Sequence, residues 1–255
     1  GLNVSGSVKF SGDGAGIGTY NNAIEIHNRS YCTAVGYYAL DNTINSSTPR
    51  YNTGFGTFAC RFSRFGTFNV GMGYAALRDV QDGDGNVGIG SYAVMRQAGN
   101  NNNYNTGVGD EAFRGGSGAL GYTSSLFVQN TAVGNQAGWN YREGSNNTIL
   151  GAEAARNANG GSGNVFIGFE CGDNITVATS CTYLGTSIVS TDNATNEIVV
   201  GSTATGGGSN TVRIGNASVG SATIQTAFTS PSDSRLKRNI QSGSLGLSFI
   251  EKLNP

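Results

Sequence analysis

A chain of 255 residues with a net charge of −1 carries 41 glycines, three prolines, four cysteines and one histidine. Glycine is more than double its usual share of about 7%, yet no G-x-y period accompanies it, which excludes collagen. Val, Ile and Phe spread evenly at near-zero net charge exclude a disordered chain, the absence of a basic patch argues against nucleic acid, and no apolar run approaches a membrane span.

In chain order, residues 1–15 alternate Leu2, Val4, Val8 and Phe10 with Ser and Gly, which predicts an N-terminal opening strand or cap. No charged segment followed by an apolar one precedes it, so no signal peptide is expected. From residue 16 to 215 a unit recurs, best seen in Asn130–Gly138 (NTAVGNQAG). Aligned on the glycine after the aliphatic residue, the copies fall at Gly18, Gly36, Gly56, Gly73, Gly90, Gly109, Gly134, Gly151, Gly168, Gly185, Gly201 and Gly215. The commonest interval is 17 residues, and insertions lengthen it between Gly36 and Gly56 and between Gly109 and Gly134. A fixed beat of this kind decides the architecture before local propensity does. The GAGIG near Gly18 belongs to the beat and lacks the strand and long helix of a dinucleotide loop.

The unit N-T-x-φ-G, with φ an aliphatic residue, reads as a short strand. Side chains alternate along it, so Thr and φ share one side and x the other. One aliphatic per coil cannot bury itself, but coils stacked about 4.8 Å apart would line the φ residues into an internal ridge. Glycine after φ suits a close approach or a left-handed corner, the asparagines can ladder from coil to coil, and the alanine three residues after the glycine suits a second strand. The fold class expected is all-β: a repetitive β-roll or β-helix of about twelve coils, about 55 Å long at that spacing. The ridge is a thin core, and Tyr38, Phe58, Tyr92, Phe113 and Phe169 add further apolar positions. Packing between copies, as an intimate homotrimer, would bury them and protect strand edges.

Inside the repeats, recognition is expected from the longer intervals, Asp41–Tyr51 and Arg114–Gln129, and from the corner Trp139-Asn140-Tyr141-Arg142. An exposed Trp139, Tyr141 and Arg142 would suit sugar stacking; the competing reading packs the aromatics between subunits. Cys32 and Cys181 occupy the Asn position and Cys171 the Ala position, which points to small buried thiols, with a Cys171–Cys181 disulfide as the alternative. No Cys/His spacing suggests a metal, and Asp82–Asn86 reads as a turn because Ala93 stands where a calcium loop needs Glu. No cofactor is expected. Glu111, Glu143, Glu153 and Glu170 sit in different coils, without a motif joining them into the carboxylate pair of a glycan-cleaving enzyme. His27 reads as a surface strand residue.

After Gly215 the beat stops. Residues 216–231 form a polar connector, and 232–255 change character, with SDSRLKRNI and then a short amphipathic helix candidate, Leu245–Leu253. A Ser hydroxyl is activated when a nearby Lys has a depressed pKa, and Arg235 and Arg238 flank Lys237. A helix start capped by Ser232 or Asp233 is the plainer reading of the same residues.

The N-[ST]-x-[AV]-[IV]-G coils resemble the left-handed β-roll of trimeric autotransporter adhesin heads and, more closely, the NTAVGYQAL-type repeats of phage tail fibres. The beat of 17 is longer than that of the adhesin heads. Ser232, Asp233, Arg235, Lys237 and Ile240 match the S-D-x-R-x-K-x-x-I signature of the endosialidase-type intramolecular chaperone domain, a self-cleaving peptidase family, and Leu253 and Pro255 match its L-x-P. The resemblance implies Ser232 as nucleophile and Lys237 as base, cutting the Ser232–Asp233 bond after trimerisation. Domains of that family run on beyond this length, so 232–255 is read as its truncated start. The resemblances together imply a virion protein, a homotrimeric tail fibre or spike assembled in the host cytoplasm. It would contact other tail proteins and a host-surface glycan or protein receptor. The alternatives are a bacterial trimeric surface adhesin, which should show stalk heptads, and a polysaccharide depolymerase built on a β-helix.

Overall fold

The computed structural model describes residues 24–27, 32–41, 50–63, 66–95, 102–115 and 127–223. The chain divides into two units, residues 1–218 and 219–255, and the described part of the second, 219–223, carries no regular element.

The first unit is a parallel β-solenoid of about nine turns. Its strands are β1 (Ile24–His27), β2 (Cys32–Val35), β3 (Thr53–Phe55), β4 (Val70–Met72), β5 (Val87–Ile89), β6 (Thr106–Val108), β7 (Phe127–Val128) and β8 (Thr131–Val133). There follow β9 (Gly144–Ser145), β10 (Thr148–Leu150), β11 (Gly160–Ser162), β12 (Val165–Ile167), β13 (Val177–Thr179), β14 (Thr182–Leu184), β15 (Ala194–Thr195), β16 (Ile198–Val200) and β17 (Val212–Ile214). The main sheet runs β1-β2-β3-β4-β5-β6-β8-β10-β12-β14-β16-β17; only the β1–β2 pair is antiparallel. Each copy from Gly36 onwards supplies one parallel rung in the same register, so that Gly54 faces Gly71, which faces Gly88, and Ile149 faces Phe166, which faces Tyr183. The copy at Gly18 lies outside the described residues.

The direction of the side chains reverses the expectation. The middle residue x points in: Ala34, Ala132, Ile149, Phe166, Tyr183 and Val199 are all buried. The φ residues point out, with Phe55, Met72, Ile89, Leu150 and Leu184 between 37% and 52% exposed. The φ residues therefore form an external stripe. The reason is that in the earlier coils the interior is already filled from the opposite wall, by the residue four places after the corner glycine: Leu40, Cys60, Leu77, Val94 and Phe113. A Cβ at Gly71 would lie 2.5 Å from Cys60 Sγ, and one at Gly88 3.0 Å from Leu77 Cγ. Further along the rod the pairing inverts. Gly138 stands on the opposite wall where Ile149 projects in, and Gly172 where Phe166 does; a Cβ at Gly172 would meet the Phe166 ring at 2.6 Å. Where one wall is large the other is small, which keeps the interior close-packed along its length.

The alanine expected on a second strand lies in a turn instead. Ala39, Ala59, Ala93 and Ala112 each donate their N–H to the corner glycine carbonyl three residues back. Left-handed residues recur two and four places after the glycine, for example Phe58 (φ 60°) and Cys60 (φ 50°). Such a conformation costs a non-glycine residue about 1–2 kcal/mol. It persists because each of these N–H groups reaches a neighbouring coil, Phe58 to the Tyr37 carbonyl (2.7 Å) and Cys60 to that of Ala76 (2.9 Å). The turns thus stack as a hydrogen-bonded ladder of their own. True second sheets are short: β7–β9 and β11–β13–β15.

The corner glycines behave as the sequence indicates. Gly73 has φ +133°, and a Cβ there would come within 2.5 Å of the Gly90 carbonyl oxygen of the next coil. The asparagine ladder is likewise present. Asn52, Asn69, Asn86, Asn105, Asn130, Asn147 and Asn164 are buried. The backbone N–H of each, from Asn69 onwards, donates to the side-chain Oδ1 of the asparagine before it, at 2.8–3.0 Å. Each side-chain Nδ2 closes the coil by donating across it to a backbone carbonyl, as Asn69 does to Gly83 (2.7 Å) and Asn164 to Ala178 (2.7 Å).

Candidate functional site

The corner Trp139-Asn140-Tyr141-Arg142 does not act as one surface. Trp139 lies on an outer edge with its ring between two guanidinium groups, Arg114 at 5.7 Å and Arg156 at 5.9 Å from the ring centroid. Both arginines are paired, Arg114 with Glu111 (2.7 Å) and Arg156 with Glu153 (3.7 Å). Tyr141 is fully buried, packed near Phe113 and Phe127, and its hydroxyl donates to the Gly161 carbonyl (3.0 Å). Burial pushes its pKa upward. A ring enclosed in this way offers no face to a sugar, so the expectation of an exposed Tyr141 is corrected: it is a core residue whose polar tip satisfies a backbone carbonyl of the next coil. Arg142 is half-buried and donates to Asn140 Oδ1 (2.8 Å).

A row of rings and guanidiniums continues towards the N-terminal coils. Tyr37, Phe58, Tyr74 and Tyr92 follow one another with centroids 5.6, 5.9 and 5.1 Å apart. Arg61 lies over Tyr38 and Phe58 at 4.6 and 5.2 Å. Contacts at one-coil spacing of this type are invisible in the linear sequence, where the rings stand 16 to 21 residues apart.

The glutamates that look scattered also fall into a column. Glu111, Gln136, Glu153 and Glu170 each stand two places after a corner glycine, and Gln136 Nε2 donates to Glu111 Oε2 (2.7 Å) while the Ser187 hydroxyl donates to Glu170 Oε2 (3.1 Å). Nearby, burial holds the Asp173 carboxyl above its usual range, with Arg156 opposing. Glu111, Gln136, Glu153 and Glu170 are each half-buried, and Glu143 stands outside this column. Asp84, in the turn Asp82–Asn86, spends its Oδ1 on the Thr67 N–H (2.7 Å) and hydroxyl (2.8 Å). No group of three or more metal-ligating side chains occurs among the described residues.

One acid was missed in the sequence. Glu197 takes the place of the ladder asparagine next after Cys181 and is fully buried. Burial would raise its pKa, but hydrogen bonds from the Gly208 N–H (2.7 Å), the Tyr183 hydroxyl (2.9 Å) and the Thr191 hydroxyl (3.0 Å) and N–H (3.2 Å) outweigh that and hold it below the usual range. With Cys181 it finishes the ladder: Cys181 N–H donates to Asn164 Oδ1 (3.0 Å), and Glu197 N–H points to Cys181 Sγ (3.3 Å). The signal available in the sequence was the alignment itself, since NEIVVG carries Glu four residues before its corner glycine, where earlier copies carry the ladder asparagine. The four cysteines are buried and free, so Cys171 and Cys181 are not joined. Burial pushes Cys60 up to about 12 and Cys171 to about 11.

His27 ends β1 opposite Cys32. Ser232, Asp233, Arg235, Lys237 and the helix candidate lie outside the described residues, as do 42–49 and 116–126 of the two insertions. A polar hollow near the end of the solenoid is lined by Thr203, Thr205, Arg213, Asn216, Ala217 and Ser218.

The outer face of the main sheet is a continuous surface along the rungs. Its outward residues on the eleven parallel rungs include Thr33, Thr53, Thr106, Thr131, Thr148 and Thr182; the others are Val, Ile, Leu, Met or Phe, and none is charged. Exposed Tyr51 and Phe68, stacked at 5.0 Å, flank one edge, and Tyr38 and Tyr74 the other. No known protein family, curated protein or solved structure matches this chain.

Proposed function

We propose that the chain is a structural fibre protein of the phage tail-fibre or tail-spike kind, a homotrimeric shaft and head that attaches the particle to a host surface. The observation that carries this reading is the uncovered apolar face: eleven parallel rungs expose a charge-free stripe of the kind that marks interaction surfaces. The resemblance of the coils to tail-fibre repeats, and of Ser232–Ile240 to the intramolecular chaperone signature, supports the same reading. In it, the described coils serve as scaffold. Their buried asparagines are engaged in the ladder, and Glu111, Glu153 and Glu170 are held by arginine, glutamine or serine partners. The residues at 232–240 would cut the chain once after assembly.

Light scattering should give the mass of three chains, and labelled protein should adsorb to susceptible cells in competition with the particle. A monomer would overturn the trimeric fibre. Release of reducing ends from capsular or lipopolysaccharide glycans would replace it with the depolymerase.

A further inference from the structure

We infer that the outer face of the main sheet is where copies of this chain meet, packed parallel and in register about an axis running along the solenoid. This rests on the oligomeric fibre reading above and assigns the surface and orientation it would use.

Size is the first argument. Eleven rungs spaced about 4.8 Å span about 50 Å, and a three-residue strand with a flanking residue on each side is about 15 Å wide. The product, about 750 Å², is the total one copy could bury against its neighbours, close to the roughly 800 Å² that one partner buries in a standard stable interface. The second argument is period. Any partner must present apolar side chains at the rise of one coil along the whole length, and a second copy does so by identity. Its side chains would also shield the exposed φ residues, which the coil interior has no room to take.

Orientation follows from how the face changes along the rod. Towards the N-terminal end it is broad and rich in large side chains: Tyr38, Tyr51, Phe55, Phe68, Met72, Tyr74 and Ile89, each at least 37% exposed. Towards the other end it is mostly aliphatic, with Leu150, Leu184, Ile198 and Ile214, and Phe169 is the one exposed ring beside them among the described residues. Rotation about an axis parallel to the rod sets each rung against the same rung of the next copy, aromatic against aromatic and aliphatic against aliphatic. An antiparallel pair would oppose the broad end to the mostly aliphatic one and leave gaps along half the seam.

The test uses the full chain with cysteine introduced on the face. The native thiols are buried, and burial keeps Cys60 and Cys171 protonated, so they stay out of the reaction. Met72→Cys and Leu184→Cys, made separately and mildly oxidised, should each give covalently linked chains. When the two variants are mixed before assembly, links should form within each kind and not between them. The double variant Met72→Glu/Leu184→Glu should run as a folded monomer with an unchanged circular-dichroism spectrum, while Ser202→Glu, outside the sheet, keeps the wild-type mass. Mixed 72–184 links would overturn the parallel register. A wild-type oligomer that neither cross-links through these positions nor dissociates in the double-Glu variant would overturn this face but leave the fibre reading standing. A wild-type monomer would remove both. Sedimentation of the monomer with neutral phosphatidylcholine vesicles, lost in the double-Glu variant, would assign the face to lipid instead.

Discussion

Replacing Asn105 with alanine removes one complete rung of the buried asparagine ladder. Its Oδ1 accepts the Asn130 N–H at 3.0 Å and the Asn130 Nδ2 at 3.1 Å, and its Nδ2 donates to the Phe127 carbonyl at 2.7 Å and Asn86 Oδ1 at 3.0 Å. Two of these partners have other bonds: Asn130 Nδ2 keeps the Gly144 carbonyl, and Asn86 Oδ1 keeps the Asn105 N–H. The Asn130 N–H and the Phe127 carbonyl lose theirs in a buried setting. At about 1–3 kcal/mol for each orphaned group, the substitution should cost about 2–6 kcal/mol. Urea unfolding should show the midpoint falling at unchanged slope, and Asn135→Ala, whose side chain is at the surface, should stay within about 0.5 kcal/mol of wild type. A loss under about 1 kcal/mol at Asn105 would refute the view that the ladder holds the coils together.

Gly71→Ala should destabilise by about 1–3 kcal/mol because its Cβ would meet Cys60 Sγ, and adding Cys60→Gly should recover much of that loss; a double-mutant cycle in urea reads the coupling. Glu197 has a lowered folded pKa, so its contribution is full above the unfolded carboxyl value of about 4.3 and is lost as pH falls through the folded value. Glu197→Gln should flatten that acid limb of the stability profile measured by thermal melts. Cys60 and Cys171, raised to about 12 and 11, should resist a thiol reagent at pH 8 in the folded protein and react on unfolding, which a colorimetric thiol count checks. In a form of the chain that extends through a whole chaperone domain, Ser232→Ala should abolish the cut at Ser232–Asp233 seen by mass spectrometry; equal cutting in both would reject Ser232 as nucleophile.

Much of this architecture was legible before any coordinates. The glycine beat, the stacked rungs, the ladder of Asn52 to Asn164 and the burial of the four cysteines all follow from residues that recur at a fixed spacing. A repeat must place equivalent residues in equivalent surroundings, so its period carries three-dimensional information. The candidate site was less legible. Trp139, Tyr141 and Arg142 are neighbours in the chain, but Trp139 stands among arginines on an edge and Tyr141 enters the core. Contacts between coils, such as Gln136 with Glu111 or Tyr183 with Glu197, join residues that no local motif links.

What the sequence alone determined was the alternation of the strand: Thr and φ on one side, x on the other. Which side faces inward was decided by the tertiary structure. A period of two leaves two equivalent choices, and only the residues on the far wall distinguish them. Leu40, Cys60, Leu77 and Val94 fill the coil opposite glycines, and Ile149 and Phe166 fill it opposite Gly138 and Gly172, so the interior has no space left for φ. The stripe of Phe55, Met72, Ile89, Leu150 and Leu184 is therefore turned outward, and the ridge expected inside the coil becomes the surface the molecule offers to others.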